Sequence, residues 1–208
     1  MTQREHWEKV YLSNRPERVG WYRPHLETSL KWIREQSLDK DAGIIDVGGG
    51  ASTLVDDLLA DGYRSITVLD LSRAALTLTK QRLGARAALV AWLEGDITSV
   101  DLPVGHYELW HDRAVFHFLT EPEQRQRYLA NLLKALKPGG HLIIGAFALE
   151  APPKCSGLLV ERYSAETLER LFGSDFILKR SEKELHITPG GMKQMYLYCH
   201  FQRIVVTT

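Results

Sequence analysis

Ile44-Ile45-Asp46-Val47-Gly48-Gly49-Gly50 runs a short apolar strand directly into three glycines, with a helix-forming segment beginning at Ser52. Glycine at such a turn tolerates strained backbone angles and lets main-chain N–H groups approach a ligand with no Cβ in the way. Val68-Leu69-Asp70 follows as a second apolar strand, ending in a carboxylate twenty residues after Gly50. An acid in that place can accept both hydroxyls of a ribose. The stretch therefore reads as the opening of a nucleotide-binding α/β fold.

Two details narrow the nucleotide. A dinucleotide fingerprint uses a third glycine for close packing of helix on strand, and Thr53 stands there instead. Asp46 lies two residues before Gly48, where a carboxylate would repel a pyrophosphate and could hold a cation. S-adenosylmethionine has an adenosine and an ammonium but no phosphate, and fits both.

With these residues in place, the chain resembles the class I S-adenosylmethionine-dependent methyltransferases. Asp46 to Gly50 resemble the family's first motif, Asp70 its second, Glu94-Gly95-Asp96-Ile97 its third and Tyr107 to Leu119 its fourth. Leu136-Lys137-Pro138-Gly139-Gly140-His141-Leu142-Ile143-Ile144 resembles the turn that feeds its fifth strand. Ser52 departs from the pattern where the family often has a further glycine, and is expected to cap the following helix. The resemblance implies that Gly48, Gly49 and Gly50 line the methionine part of the cofactor, Asp70 holds the ribose, Leu71 lies against the adenine, Asp96 accepts the adenine amino group and Ile97 packs on the ring. An ordinary turn-capping role for Asp96 is the competing reading.

The chain has 208 residues, 44% of them hydrophobic, enough for one sizeable core and too few for two. One domain is expected, with residues 1–42 forming a helical lid and 43–208 a Rossmann-like core. Lys and Arg total 26, as do Asp and Glu, so the basic excess of a phosphate-backbone binder is missing and no nucleic-acid partner is expected. A polar N-terminus and no apolar run of spanning length point to a cytoplasmic protein with no membrane partner. Cys155 and Cys199 are too few for a disulfide framework or a zinc site. Oligomeric state is open.

Periodicity predicts helices over 4–12, 26–36, 52–61, 72–83, 122–136 and 165–172, and strands over 43–47, 65–69, 88–93, 107–110 and 141–147. Two more strands, 176–186 and 192–204, flank Thr188-Pro189-Gly190-Gly191 as a hairpin. The expected architecture is a doubly wound, seven-stranded, mostly parallel sheet with a C-terminal antiparallel hairpin.

Ligands of such sheets lie beyond the C-terminal strand ends, so the methyl acceptor is expected after the fourth strand, at Trp110-His111-Asp112-Arg113-Ala114-Val115-Phe116-His117. Methyl transfer from a sulfonium needs alignment and exclusion of water, not a metal. His111 and His117 are candidate general bases, with Asp112 orienting one of them, and His111 also faces the cofactor. Against this, His111 could be an ordinary strand-end histidine and Asp112-Arg113 a structural ion pair. Asp112-Arg113 before an apolar run also resembles thiopurine and related thiol methyltransferases. Trp7, Tyr11 and Trp21 precede the first strand and could close aromatic faces over the sulfonium. Three functions remain open: transfer to a small molecule, with a thiol suggested by that likeness; transfer to a protein lysine; or cofactor binding without transfer.

Overall fold

The computed structural model describes residues 2–205. Strands β1 (Ile44–Val47), β2 (Ile66–Asp70), β3 (Val90–Glu94), β4 (Tyr107–Arg113) and β5 (Leu136–Phe147) are parallel; β6 (Lys154–Cys155) and β7 (Leu158–Leu159) form a small separate ladder; β8 (Phe176–Ile187) and β9 (Lys193–Arg203) form the hairpin. The main sheet has seven strands in the order β3-β2-β1-β4-β5-β9-β8, and β9 runs antiparallel to β5. This is the expected doubly wound sheet, with order reversal between β1 and β4 placing a crevice above their C-terminal ends.

Helices α1 (Gln3–Ser13), α2 (Glu27–Glu35), α3 (Leu54–Ala60), α4 (Arg73–Leu83), α5 (Pro122–Ala135) and α6 (Ala165–Phe172) connect or flank the strands. Their ends follow local chemistry. Thr2 and Glu5 make a reciprocal capping box on α1, and the Ser72 and Ser164 hydroxyls accept the N–H groups of Ala75 and Thr167 at the starts of α4 and α6. One apolar layer joins the sheet to α5 and α6 through Trp110, Tyr128, Leu132 and Phe172. The other joins it to α2, α3 and α4 through Trp32, Ile33, Leu58 and Leu76.

Most boundaries agree with the sequence expectation to within one or two residues, and four differences bear on the site or its frame. Residues 84–89 form a 3₁₀ turn, so β3 starts at Val90. β5 starts at Leu136 and takes in the Pro138-Gly139-Gly140 turn, with a register irregularity opposite Tyr107 and Leu109. Thr53, not Ser52, occupies the N-cap position of α3, although the Ser52 hydroxyl still accepts the Leu54 N–H. The fourth correction matters most: β4 does not stop at Trp110 but continues through His111, Asp112 and Arg113. It is flanked by β1 at Asp46 and Val47 and by β5 at Ile143, Ile144 and Gly145, so the backbone there is paired on both sides despite three polar side chains.

Candidate active site

The turn after β1 is shaped by what glycine lacks. Gly48 has φ +70°, and a Cβ there would fall inside the Val115 side chain. A Cβ on Gly50 would run into the Asp70 carboxylate and the Ala75 methyl, so the turn lies directly on the end of β2. The contact is a bond: Gly50 N–H donates to Asp70 Oδ2 at 3.0 Å, and Ser72 N–H donates to Oδ1 at 2.8 Å. Burial pushes the Asp70 carboxyl up to about 6, the two backbone donors holding it back in part.

Beneath the turn, Asp46 and His111 are direct cross-strand partners on β1 and β4. His111 Nδ1 lies 2.7 Å from Asp46 Oδ1, and its Nε2 lies 2.9 Å from the Ser29 hydroxyl on α2. All three are buried. The imidazole therefore has both nitrogens engaged and serves as a brace between α2 and Asp46. Asp46 Oδ2 has no hydrogen-bond partner among the described residues, and it lies beside the Cα of Gly49. A buried carboxylate oxygen left without a donor is costly unless a ligand supplies one, and the ammonium of S-adenosylmethionine is such a donor.

Two adjoining cavities open here. The larger, ≈ 780 Å³ counting the part open to solvent, is walled by Trp7, Tyr11 and Trp21 from the N-terminal segment, by Gly48, Asp70 and Leu71, by Asp96 and Ile97, and by Arg113, Phe118, Leu119 and Cys155. That size suits a cofactor-like ligand. The smaller, ≈ 460 Å³, holds Asp46, Gly48, Gly49 and His111 together with Tyr11, Trp21, Arg23 and Arg113. Asp96 caps its turn, Oδ1 accepting the Thr98 N–H at 2.8 Å, and the residue also lines the larger cavity. Trp7, Tyr11 and Trp21 form an edge-to-face and tilted aromatic cluster with ring centroids 5.4–6.5 Å apart.

Two candidate catalytic residues lie elsewhere. Asp112, next to His111 on β4, points to the opposite face of the sheet, as neighbours in a strand must. Its Oδ1 accepts the Val115 N–H, its Oδ2 accepts the Tyr128 hydroxyl at 2.8 Å, and Tyr128 in turn accepts from Trp110 Nε1. It neither orients His111 nor pairs with Arg113, and it lines neither cavity. His117 is wholly buried, stacked edgewise on Phe118 and Phe147, with Nδ1 accepting the Phe147 N–H. Burial, reinforced by Arg113, lowers its pKa to about 3, and it too lines neither cavity. Cys155 lines the larger cavity as a thiol that burial pushes up to about 12.

Sequence reasoning did not single out Arg113 by itself, yet this is the cation that lines both cavities. His186 is buried near the end of β8, within 2.7 Å of the Gly20 carbonyl and 3.3 Å of Arg23 Nε. Together with the Arg23–Glu184 ion pair and the Thr28–Glu184 bond, it fastens the N-terminal segment to the hairpin.

Residues 44–140 match the family described as a methyltransferase domain. The eEF1A lysine and N-terminal methyltransferase of Bos taurus is 25% identical over 145 residues, covering 67% of this chain; the chain spans 20% of that relative's length. Among solved structures, one described by the conversion of a disulfide bond into a thioacetal group during echinomycin biosynthesis superposes with a TM-score of 0.77 at 16% identity, covering 100% of this chain and 95% of its own. The Burkholderia thailandensis 1,6-didemethyltoxoflavin-N1-methyltransferase, with its ligand and S-adenosylhomocysteine bound, gives 0.74 at 19% identity, covering 97% and 87%. These neighbours share the fold. The stretch that matches the methyltransferase domain contains the glycine turn seated on Asp70 and the unpartnered Asp46 oxygen beneath it, so the match and the geometry fall on the same residues.

Proposed function

We propose that the chain transfers the methyl group of S-adenosylmethionine to a small-molecule acceptor enclosed between the strand ends and an N-terminal lid. The observation that carries this reading is the wall of the larger cavity: Trp7, Tyr11 and Trp21 face the same space as Asp70, Asp96 and Ile97. In this reading Asp70 holds the ribose, Leu71, Asp96 and Ile97 the adenine, and Asp46 with Gly48, Gly49 and Gly50 the methionine part. Trp7, Tyr11 and Trp21 surround the sulfonium, whose charge an aromatic face attracts. The cofactor supplies an activated methyl: the acceptor's lone pair forms the new bond to carbon, the C–S bond breaks toward sulfur, and neutral S-adenosylhomocysteine leaves.

The chain's own share is alignment and exclusion of water. Neither His111, with both nitrogens engaged, nor His117, buried away from the cavities, is free to take a proton from the acceptor. This favours an acceptor that is nucleophilic without a protein base, as a thiol is through its small thiolate fraction at neutral pH. The names of the sequence relatives favour a protein lysine instead. Arg113 opposes it, since a guanidinium on the cavity wall repels an approaching ammonium.

An acceptor screen reading S-adenosylhomocysteine release tests the proposal, with thiols, amines, carboxylates, phenols and a lysate as acceptors. Turnover on small thiols is expected. Turnover on lysate proteins alone would replace the small acceptor by a protein, and binding of S-adenosylmethionine with no turnover on anything would leave a binding protein.

A further inference from the structure

Arg113 is a half-buried cation with unspent donors. Of the five N–H bonds of a guanidinium, Nε–H goes to the Tyr198 hydroxyl at 2.9 Å and one on Nη1 goes to the Trp21 carbonyl at 3.0 Å. Nη2 is shut off from solvent and has no partner, and no carboxylate forms an ion pair with Arg113 among the described residues, Glu184 acting on it only from farther away. The remaining contact is stacking, with the guanidinium carbon 4.4 Å from the Tyr196 ring centroid. A guanidinium with one nitrogen cut off from water and no carboxylate in contact is a costly arrangement.

Its position is specific. Arg113 ends β4, and its side chain crosses Gly145 of β5 to reach Tyr196 and Tyr198 on β9. A Cβ at Gly145 would stand 3.1 Å from the Tyr198 ring and 3.4 Å from Arg113 Cγ, so the missing side chain gives the arginine its path. The guanidinium thus lies on the far side of β4 from the glycine turn, while Arg113 still walls both cavities. The unpartnered Asp46 oxygen stays on the β1 side. Of the groups at the cavities, one is negative at the cofactor's ammonium end and one is positive across β4, which divides the site into a part for a cation and a part for an anion.

We propose that Arg113 is a specificity residue that holds a carboxylate on the methyl acceptor, so that the substrates are small anionic molecules. This rests on the methyltransferase reading above and extends it to the acceptor's charge. The adjacent N–H groups of Nη1 and Nη2 present the fork that a carboxylate fills with two bonds. Its Nη1 bond to Trp21 ties the same residue to the lid, so the acceptor's anion and the lid meet at one side chain.

The test uses acceptor pairs that differ by one carboxylate: 3-mercaptopropionate against propanethiol, and 4-hydroxybenzoate against phenol. In the intact protein the anionic member of a productive pair should have a kcat/KM roughly 10- to 100-fold higher. Arg113→Gln should reduce that ratio to about one, and Arg113→Lys, which keeps the charge without the fork, should leave it between the two. In parallel, benzoate is titrated into the protein saturated with S-adenosylhomocysteine, a readout that needs no turnover. Binding in the wild type and none in a folded Arg113→Gln, with affinity for S-adenosylhomocysteine unchanged within about threefold, supports the proposal even if no acceptor in the panel is methylated. Equal kcat/KM for charged and neutral partners, or benzoate binding indifferent to the substitution, overturns it. So does a loss of S-adenosylhomocysteine affinity in both variants without a change in selectivity, which would assign the guanidinium to the cofactor's own carboxylate. If Arg113→Gln fails to fold, Arg113→Lys carries the same comparison, and a ratio unchanged from wild type overturns the proposal.

Discussion

His111 shows how one side chain can sit at the right place for chemistry and still do something else. A general base must reach the acceptor with a free nitrogen, and here Asp46 and Ser29 occupy both. Replacing His111 by Ala should free Asp46 Oδ1 and the Ser29 hydroxyl in a dry interior, at about 1–3 kcal/mol for each group left without a partner. The expected result is a lower Tm and weaker cofactor binding, with whatever turnover remains showing the wild-type pH profile. A rate that recovers as pH rises would restore His111 as the base. Asp70 gives a second prediction at this scale. Burial pushes its carboxyl up to about 6, and in the proposed reading the ribose hydroxyls donate to its ionised form. Affinity for S-adenosylhomocysteine should therefore rise with pH up to about 6 and level off above, changing by roughly tenfold between pH 5 and the plateau. Calorimetry on Asp70→Asn should show a flat profile across that range; a slope that survives the substitution belongs to another group.

At the scale of elements, the alternation of strands and helices was legible because burial on both faces leaves continuous apolar runs, and the hairpin because a Pro-Gly-Gly turn separates two long strands. The end of β4 was not. His111-Asp112-Arg113 reads as the start of a loop, and only the flanking strands, distant in sequence, pair its backbone. Because side chains alternate, the boundary decides function: within the strand, His111 and Arg113 share one face and Asp112 takes the other, next to Tyr128. Partly buried charge has no signature in hydropathy, which is why Arg113 and the His186 clasp escaped notice while the glycine turn and Asp70 did not. The N-terminal element carries its own prediction. Residues 16–18 form a 3₁₀ turn that ends in the exposed Arg18, while Trp7, Tyr11 and Trp21 face the cavity. S-adenosylhomocysteine should slow tryptic cleavage after Arg18, since the Arg15–Pro16 bond resists trypsin, severalfold by holding the aromatic cluster in place. Equal rates with and without ligand would remove the lid from the proposed function.

For the molecule as a whole, the upper rim of the sheet contains two buried carboxyls, Asp70 and Asp112, both pushed up to about 6 chiefly by desolvation. The sign follows from linkage: a folded-state pKa above the unfolded value of about 3.9 means that the native state holds the proton more tightly. The stabilisation is fully present below pH 4 and is lost as pH rises through 6, worth at most about 3 kcal/mol for each group. Paired surface carboxylates such as Glu94, whose pKa is lowered first by the Arg73 bond, act in the opposite direction and lose their contribution in acid. Asp112→Asn separates the two effects. An amide keeps an oxygen for the Val115 N–H and can donate to the Tyr128 hydroxyl, which already accepts from Trp110. Denaturant unfolding of this variant should therefore lose less stability than the wild type between pH 4 and pH 7, by up to about 3 kcal/mol. Methyl transfer should persist, because Asp112 lines neither cavity. An unchanged pH dependence of stability would show that the native carboxylate is ionised well below pH 6 despite its burial. A collapse of turnover in the folded variant would show that the turn it caps, which leads from β4 to Val115 and Phe116, sets the alignment on which methyl transfer depends.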